Sequence, residues 1–268
     1  LQLLGSNARI SGGSIKLDGK ELIGLPEKEM CRIRGNDIAM IFQDPMTALN
    51  PTLTIGTQLM EPIMLHQNCG KKEAWTRAVD VLKRVGIAAP EKRMKEYPHQ
   101  LSGGMRQRVM IAMAVSCEPR LLIADEPTTA LDVTIQAQIL ELMCELREKM
   151  GTAIMLITHD MGVVAETADD VLVLYAGKAV EYGSIEDIFE RPKHPYTQGL
   201  LNSIPRLDED VELLNTIEGT VPAPDAMPAG CRFAPRCPYG KDRCMKEKPG
   251  VYHAGNSLVS CFRYEGEK

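Results

Sequence analysis

The stretch 101–108, LSGGMRQR, and the stretch 121–126, LLIADE, decide how this chain is expected to fold. In the first, Ser102 and two glycines precede a helical run, so the free N–H groups at the helix start can bind an anion. In the second, an apolar strand runs into Asp125 and Glu126. A carboxylate pair at the carboxyl end of a strand can bind Mg²⁺ and activate water.

Apolar strands alternate with helices on both sides of these stretches. Apolar runs predict strands at 38–42 and 153–158, and helical stripes predict helices at 73–85 and 133–150. Strands that alternate with helices indicate a parallel sheet covered by helices. We therefore predict an α/β fold. A strand hairpin, 171–175 with 178–182, is expected to follow it.

Three shorter motifs complete the pattern, namely Gln43 after the 38–42 strand, Asp132 in Ala-Leu-Asp, and His159 after the 153–158 strand. Each motif taken singly has an ordinary structural explanation. Ser102 can simply cap a helix, a strand can run out into a charged turn, and a lone histidine is more often structural than catalytic. The information lies in their order along the chain.

This order resembles that of the ATP-binding cassette (ABC) ATPases over about residues 10–190. The resemblance implies a P-loop NTPase-like cassette with a parallel sheet core, a helical signature subdomain and a β part. It also implies ATP and Mg²⁺ as ligands. Asp125 would bind Mg²⁺ through water, and Glu126 would be the general base. Gln43 of the Q-loop would contact Mg²⁺ or the attacking water, and the switch residue His159 would hold the γ-phosphate.

The remaining motif residues would act on a nucleotide bound to a partner cassette. The resemblance implies that Ser102, Gly103 and Gly104 of the signature contact the γ-phosphate of that ATP, and that Gln107 of the same motif also belongs to the nucleotide-binding residues. Asp132 of the D-loop would shape the shared interface. These roles agree with phosphoryl transfer, which depends on positioning and electrostatic stabilisation more than on covalent chemistry.

No G-x-x-x-x-G-K-[ST] phosphate loop occurs in the sequence. The chain begins at Leu1, and residues 1–5 read as the end of a helix closed by a glycine. In the family the phosphate loop precedes such a helix. We therefore expect an N-terminally truncated cassette that lacks Walker A and is inactive by itself. A natural pseudo-ATPase is the alternative, which the intact Glu126 and His159 disfavour.

The composition changes near Arg191, where prolines become frequent and periodicity is lost. We place the ABC domain at 1–190 and a C-terminal extension at 191–268. The segment 191–197, RPKHPYT, resembles the one that opens the extension of oligopeptide and dipeptide importer ATPases. The segments 97–100 and 43–51 are similar to the same subfamily.

Four cysteines, Cys231, Cys237, Cys244 and Cys261, stand in this extension. Four thiolates in a loop-rich segment suit a soft metal or a cluster. Their spacing differs from common zinc and ferredoxin patterns. The position resembles a [4Fe–4S] site of dipeptide importer ATPases, so this cluster is favoured over Zn²⁺. The four cysteines could instead form two disulfides or remain free thiols, and disulfides are disfavoured in a cytosolic ATPase.

The net charge of −5 argues against a nucleic-acid partner, and no apolar run is long enough to span a membrane. The resemblance implies an ATPase subunit that energises dipeptide or oligopeptide import from the cytoplasmic face of the membrane. A second cassette would pair head-to-tail, as a heterodimer. Two transmembrane permease subunits would contact 47–64, and an extracytoplasmic peptide-binding protein would act indirectly. Nickel or glutathione cargo, or a soluble non-transport ABC protein, are the alternatives.

Overall fold

The computed structural model describes residues 1–5, 7–44, 48–129, 132–204 and 216–266. Contacts among them divide the chain into two units, Leu1–His159 and Asp160–Lys268. The boundary expected near Arg191 lies inside the second unit. The boundary near Arg191 rests on a change in composition, whereas the two units rest on contacts between residues. The boundary therefore stays a prediction.

The first unit is built from short strands and longer helices. Its strands are β1 (Lys16–Leu17), β2 (Lys20–Glu21), β3 (Ile38–Ile41), β4 (Leu121–Asp125) and β5 (Ala153–Ile157). Its helices are α1 (Glu27–Ile33), α2 (Ile55–Gln67), α3 (Lys71–Arg84), α4 (Pro90–Arg93), α5 (Gly103–Val115) and α6 (Val133–Met150). A 3₁₀ turn at Pro98–Gln100 leads into α5.

Strands β3, β4 and β5 form a parallel sheet with β4 in the middle. The register pairs Ile41 with Ala124 and Asp125 with Ile157, so the three strands end at one edge. The residues that follow these strands are therefore neighbours in space. The predicted α/β fold with a parallel sheet is confirmed.

The core of the first unit is made by this sheet and by α2, α3, α5 and α6. Leu59 of α2, Leu82 of α3 and Ile111 of α5 are fully buried. Truncating one such leucine to alanine costs about 2–5 kcal/mol in a typical core. The packing of these helices therefore fixes the position of α5, which carries the signature.

Helix bounds agree with the signals in the sequence at two places. The helix predicted at 133–150 is α6, capped by the side chain of Asp132 and closed by Gly151 at a φ of +66°. Ser102 caps α5 as predicted.

The expectation of a helix end at 1–5 is wrong, because residues 1–5 are not helical. A terminal glycine is thus no sufficient mark of a helix end.

The second unit contains an antiparallel sheet. Its strands are β6 (Asp170–Tyr175), β7 (Lys178–Ser184), β8 (Tyr252–Ala254) and β9 (Ser257–Val259), in the order β6-β7-β9-β8. Its helices are α7 (Met161–Thr167), α8 (Ile185–Glu190), α9 (Pro195–Asn202) and α10 (Asp242–Lys246). The predicted hairpin is confirmed as β6 and β7, joined by Ala176 and Gly177 at positive φ.

The C-terminal extension is held to this sheet by a hairpin that sequence reasoning missed. Strand β9 pairs with β7 through Glu181 and Val259. Phe233 is nearly fully buried and packs edge-on against Tyr175 at a centroid distance of 5.1 Å.

Across the described ranges, no helix combines the length and the apolar character needed to cross a bilayer.

Candidate catalytic site at the carboxyl edge of the parallel sheet

Glu126 directly follows β4 and adopts a φ of +44°. A non-glycine residue at positive φ is uncommon and occurs most often where the surroundings hold it. Here the backbone N–H of Glu126 donates to the carbonyl of Ile157 at 2.9 Å. The end of β5 therefore holds the turn that aims the Glu126 side chain.

Three side chains hydrogen-bond the Glu126 carboxylate. Gln43 Nε2 donates to Oε2 at 2.7 Å, and Thr129 Oγ1 donates to the same oxygen at 2.9 Å. His159 Nδ1 lies 3.1 Å from Oε1. The structure thus brings together three residues that the sequence separated, and adds Thr129, which sequence reasoning missed.

These contacts lower the pKa of Glu126 from its ordinary value. The hydrogen bond from Thr129 is the largest cause, and the hydrogen bond from His159 is the next. A hydrogen bond to the charged form favours that form. Glu126 is therefore an ionised acceptor, able to take a proton from a water molecule within reach.

The exposure of these side chains leaves room for a ligand. The His159 side chain is 78% exposed, whereas that of Glu126 is 24% exposed. Asp125 ends β4 opposite Ile157 and is half-buried. Carboxylate oxygens are the ligands that Mg²⁺ prefers, so the chemistry of Asp125 fits that ion.

The signature begins α5 at a partly open surface. Ser102 Oγ accepts the backbone N–H of Met105 at 3.3 Å, which is an ordinary helix cap. A Cβ at Gly103 would have no heavy atom within 4 Å, whereas one at Gly104 would lie 3.2 Å from Ile135. Gly103 is thus open to an approaching group, and Gly104 allows α5 to pack against α6.

Gln107 and Asp132 make internal contacts. Gln107 is 1% exposed, and its side-chain amide donates to the carbonyl of Pro127, next to Glu126. Asp132 Oδ1 accepts the backbone N–H of Ile135 at 3.0 Å. Gln107 was expected at a nucleotide of a partner cassette, but in this structure it joins α5 to the segment after β4. Leu131 of the same D-loop motif lies outside the described residues.

The four cysteines of the extension line one narrow cavity of about 60 Å³ in the second unit. Burial raises the pKa of Cys231, Cys237 and Cys261. No disulfide joins any of the eight cysteines, all of which are described. Within the described ranges, no three His, Cys, Asp or Glu side chains are grouped so as to hold a metal ion. The four thiols thus share a cavity, but the structure does not confirm the expected cluster site.

Two family models match the chain. The model described as ABC transporter matches residues 1–129. The model described as oligopeptide/dipeptide transporter, C-terminal region, matches residues 180–244. The second match overlaps the extension that the sequence analysis began at residue 191.

Individual relatives match nearly the whole chain. The oligopeptide transport ATP-binding protein AppD of Bacillus subtilis (strain 168) is 57% identical over 98% of this chain and 80% of its own length. The dipeptide transport ATP-binding protein DppD of the same organism is 54% identical over 96% of this chain and 77% of its own length. The oligopeptide transport ATP-binding protein OppD of Escherichia coli (strain K12) is 52% identical over 97% of this chain and 77% of its own length.

Solved structures share the fold. The ATP-binding cassette MJ0796, solved as a dimer in a post-hydrolysis state bound to ADP and Pi, has a TM-score of 0.59 and 29% identity. That match covers 65% of this chain and 74% of MJ0796. The identities of the curated relatives, and the share of each that is covered, show that this chain belongs to the ABC transporter ATP-binding proteins, in the oligopeptide/dipeptide transporter subfamily.

Proposed function

We propose that this chain is the ATP-binding and ATP-hydrolysing subunit of a transporter that imports dipeptides or oligopeptides. The observation that carries the proposal is the set of hydrogen bonds from Gln43, Thr129 and His159 to the Glu126 carboxylate. The names of the relatives support peptides as the cargo class.

In the proposed mechanism, Glu126 accepts a proton from the attacking water. Its low pKa keeps it ionised, and the hydrogen bond from Gln43 fixes the direction of the carboxylate. His159, with its exposed ring, contacts the γ-phosphate. Asp125 would hold Mg²⁺ through water, and this ion would supply positive charge beside the phosphate oxygens. Gln107 positions the segment after Glu126 through the Pro127 carbonyl.

The signature acts on a nucleotide held by a second cassette. The open space at Gly103 lets the phosphate of that nucleotide approach the backbone, and the free N–H groups at the start of α5 face this anion. Ser102 and Gly104 hold this helix start in place through the cap and the contact with α6. Asp132 orders the neighbouring start of α6. We propose a head-to-tail pair with a different cassette chain.

Two permease subunits contact the segment 47–64, of which Thr47 lies outside the described residues. Leu53, which lies within the segment and is 37% exposed, supports this assignment, while the buried Ile55 and Leu59 hold the start of helix α2 against the core. We propose that the subunit sits on the cytoplasmic face of the membrane through these contacts. A peptide-binding protein on the other side delivers the cargo to the permeases.

The 268 residues contain no G-x-x-x-x-G-K-[ST] sequence. We propose that ATP turnover requires a chain that includes one, because this loop cradles the phosphates. ATP turnover is therefore to be measured on a subunit that includes this loop.

Cys231, Cys237, Cys244 and Cys261 are proposed to hold a [4Fe–4S] cluster, with Zn²⁺ as the alternative. Their common cavity supports the donor set. A metal releases the protons of its thiol ligands, so binding would have to overcome the burial that raises the pKa of Cys231, Cys237 and Cys261. Purification without oxygen should then yield iron and acid-labile sulfide in equal amounts. Zinc in stoichiometric amount would establish the alternative, and neither metal would exclude both.

The cargo is tested in a transporter reconstituted from the full-length subunit, its partner cassette and both permeases, with the binding protein. We expect a dipeptide or oligopeptide to stimulate ATP turnover, and nickel and glutathione to leave it at the basal rate. Stimulation by nickel or glutathione alone would overturn the peptide assignment. Turnover that responds to none of them would overturn import as the function.

A further inference from the structure

A second cavity in the Asp160–Lys268 unit, of about 590 Å³, has a distinct chemistry. It lies between the start of β7, the loop 227–233 and the loop 248–251. Cavities of this volume are in the range that holds small ligands. Neither the catalytic edge nor the proposed cluster accounts for it, although Cys231 borders both this cavity and the cysteine cavity.

The charges around the cavity are all positive. Lys178, Arg232 and Lys248 line it, and no aspartate or glutamate does. In the described part of the chain, none of the three is paired with a carboxylate. Arg232 Nη1 donates to the Ala176 carbonyl, which fixes the guanidinium at the cavity wall. An anionic group entering here would therefore meet a fixed arginine and two exposed lysines.

Another cavity of similar size lacks this property. The one of about 420 Å³ in the first unit is lined by Arg84, Glu118, Glu145 and Lys149. Its cations are compensated, because Arg84 pairs with Glu118 at 3.2 Å and Lys149 with Glu145 at 2.7 Å. A surplus of positive charge is thus specific to the cavity near β7 when these two are compared.

The rest of the lining is apolar or fixed backbone. Met227, Pro228, Pro249 and Val251 contribute apolar surface, and Val251 is 68% exposed. Gly230 holds one wall close to helix α10, because a Cβ there would lie 2.3 Å from the Cys244 carbonyl oxygen. The site therefore offers an apolar contact beside three cations.

We propose that this cavity binds a short peptide through its free C-terminal carboxylate, with an apolar side chain against Met227 and Val251. A carboxylate beside an apolar group matches the lining in charge and in hydrophobicity, and every unmodified peptide carries that carboxylate. The ligand class rests on the proposed function, since peptides are the proposed cargo. The site would let the energising subunit sense peptide that has accumulated on its own side of the membrane.

The test is titration calorimetry on the full chain at low salt, without ATP. The probes are leucylphenylalanine and its C-terminal amide. The acid is expected to bind at least about tenfold more tightly than the amide, because hydrogen bonds to charged groups are the stronger ones. Lys178→Gln and Lys248→Gln should each weaken binding of the acid about three- to tenfold. The matched control Lys246→Gln, an exposed lysine outside this cavity, should leave binding unchanged.

Equal binding of the acid and the amide would overturn the proposal, as would no binding of either. Inorganic phosphate that displaces the dipeptide at equal concentration would also overturn it, because that result describes a general anion site. Failure of peptide-stimulated ATP turnover would not alter these measurements, since they need neither the catalytic residues nor the permeases. Conversely, lack of dipeptide binding here would leave the ATPase assignment intact.

Discussion

Residues that are far apart in the sequence meet at the Glu126 carboxylate and around the four-cysteine cavity, and the two sites affect their ionisable groups in opposite ways. At Glu126, three polar side chains donate hydrogen bonds of 2.7–3.1 Å, and these lower its pKa. Around the cysteines, burial dominates and raises the pKa of three thiols. The surroundings of Glu126 thus favour the charged form of its side chain, whereas the surroundings of these three thiols favour the neutral form.

The supporting structure explains the difference. Glu126 and His159 follow adjacent parallel strands, so backbone hydrogen bonds fix both starting points. Three of the cysteines stand on loops between 231 and 261, and Cys244 stands on the short helix α10. Among their backbone contacts is the hydrogen bond from the Cys231 N–H to the Cys244 carbonyl, at 2.8 Å. Strands position side chains more narrowly than loops do, which suits catalysis by positioning.

Of three substitutions that test this comparison, the removal of the His159 side chain is expected to have the largest effect. In a full-length subunit within its transporter, His159→Ala is expected to lower ATP turnover about 10²–10³-fold, because a donor to the reacting phosphate and a contact of Glu126 are both lost. Phosphate release measures it. His253→Ala, at an exposed histidine of the second unit, is the control. Turnover within twofold of the parent would contradict the assigned role.

Gly230→Ala tests whether close backbone packing holds the cysteine region together. The added Cβ would lie 2.3 Å from the Cys244 carbonyl oxygen, so the loop at Gly230 and helix α10 must separate. We expect a local destabilisation of about 3 kcal/mol, or roughly 100-fold faster hydrogen exchange at the amides of 229–245. Gly12→Ala is the matched control, since its Cβ would meet nothing within 4 Å. Unchanged exchange in Gly230→Ala would show that this contact does not hold the region.

The smallest expected effect concerns pH. The Thr129 hydrogen bond is the largest cause of the lowered pKa of Glu126, so Thr129→Ala should raise that pKa. Glu126 would then be protonated at a higher pH as the solution is acidified. The acid limb of the turnover profile should move to higher pH, while Thr129→Ser keeps the hydroxyl and should leave the limb in place. Equal profiles for Thr129→Ala and the parent would refute this cause.

Local signals in the sequence were enough to predict the parallel sheet and several helix ends. Apolar runs marked β4 and β5, and Gly151 ended α6 at the predicted residue. The order of the motifs indicated Gln43, Glu126 and His159 as one group. Their meeting could be expected, because parallel strands end at one edge of a sheet.

Other features depend on contacts that no local pattern encodes. Thr129 reaches Glu126 because of a turn that begins at positive φ, and Gln107 is buried because α5 packs beside that turn. Strands β8 and β9 have three residues each, too few for a clear alternation. For the cysteines, the presence of four thiols in a short segment indicated a metal site, but their spacing matches no common metal pattern and does not show how the backbone orients the thiols.

The central claim, that Glu126 is the catalytic base of an ATPase, is tested most directly by phosphate release from Glu126→Gln in the full-length subunit within its transporter. Glu141→Gln, at an exposed glutamate of α6, is the control. The account predicts at least about a 10²-fold loss of ATP turnover in Glu126→Gln with ATP binding retained, because the amide cannot accept the proton. Unchanged turnover in Glu126→Gln would contradict it.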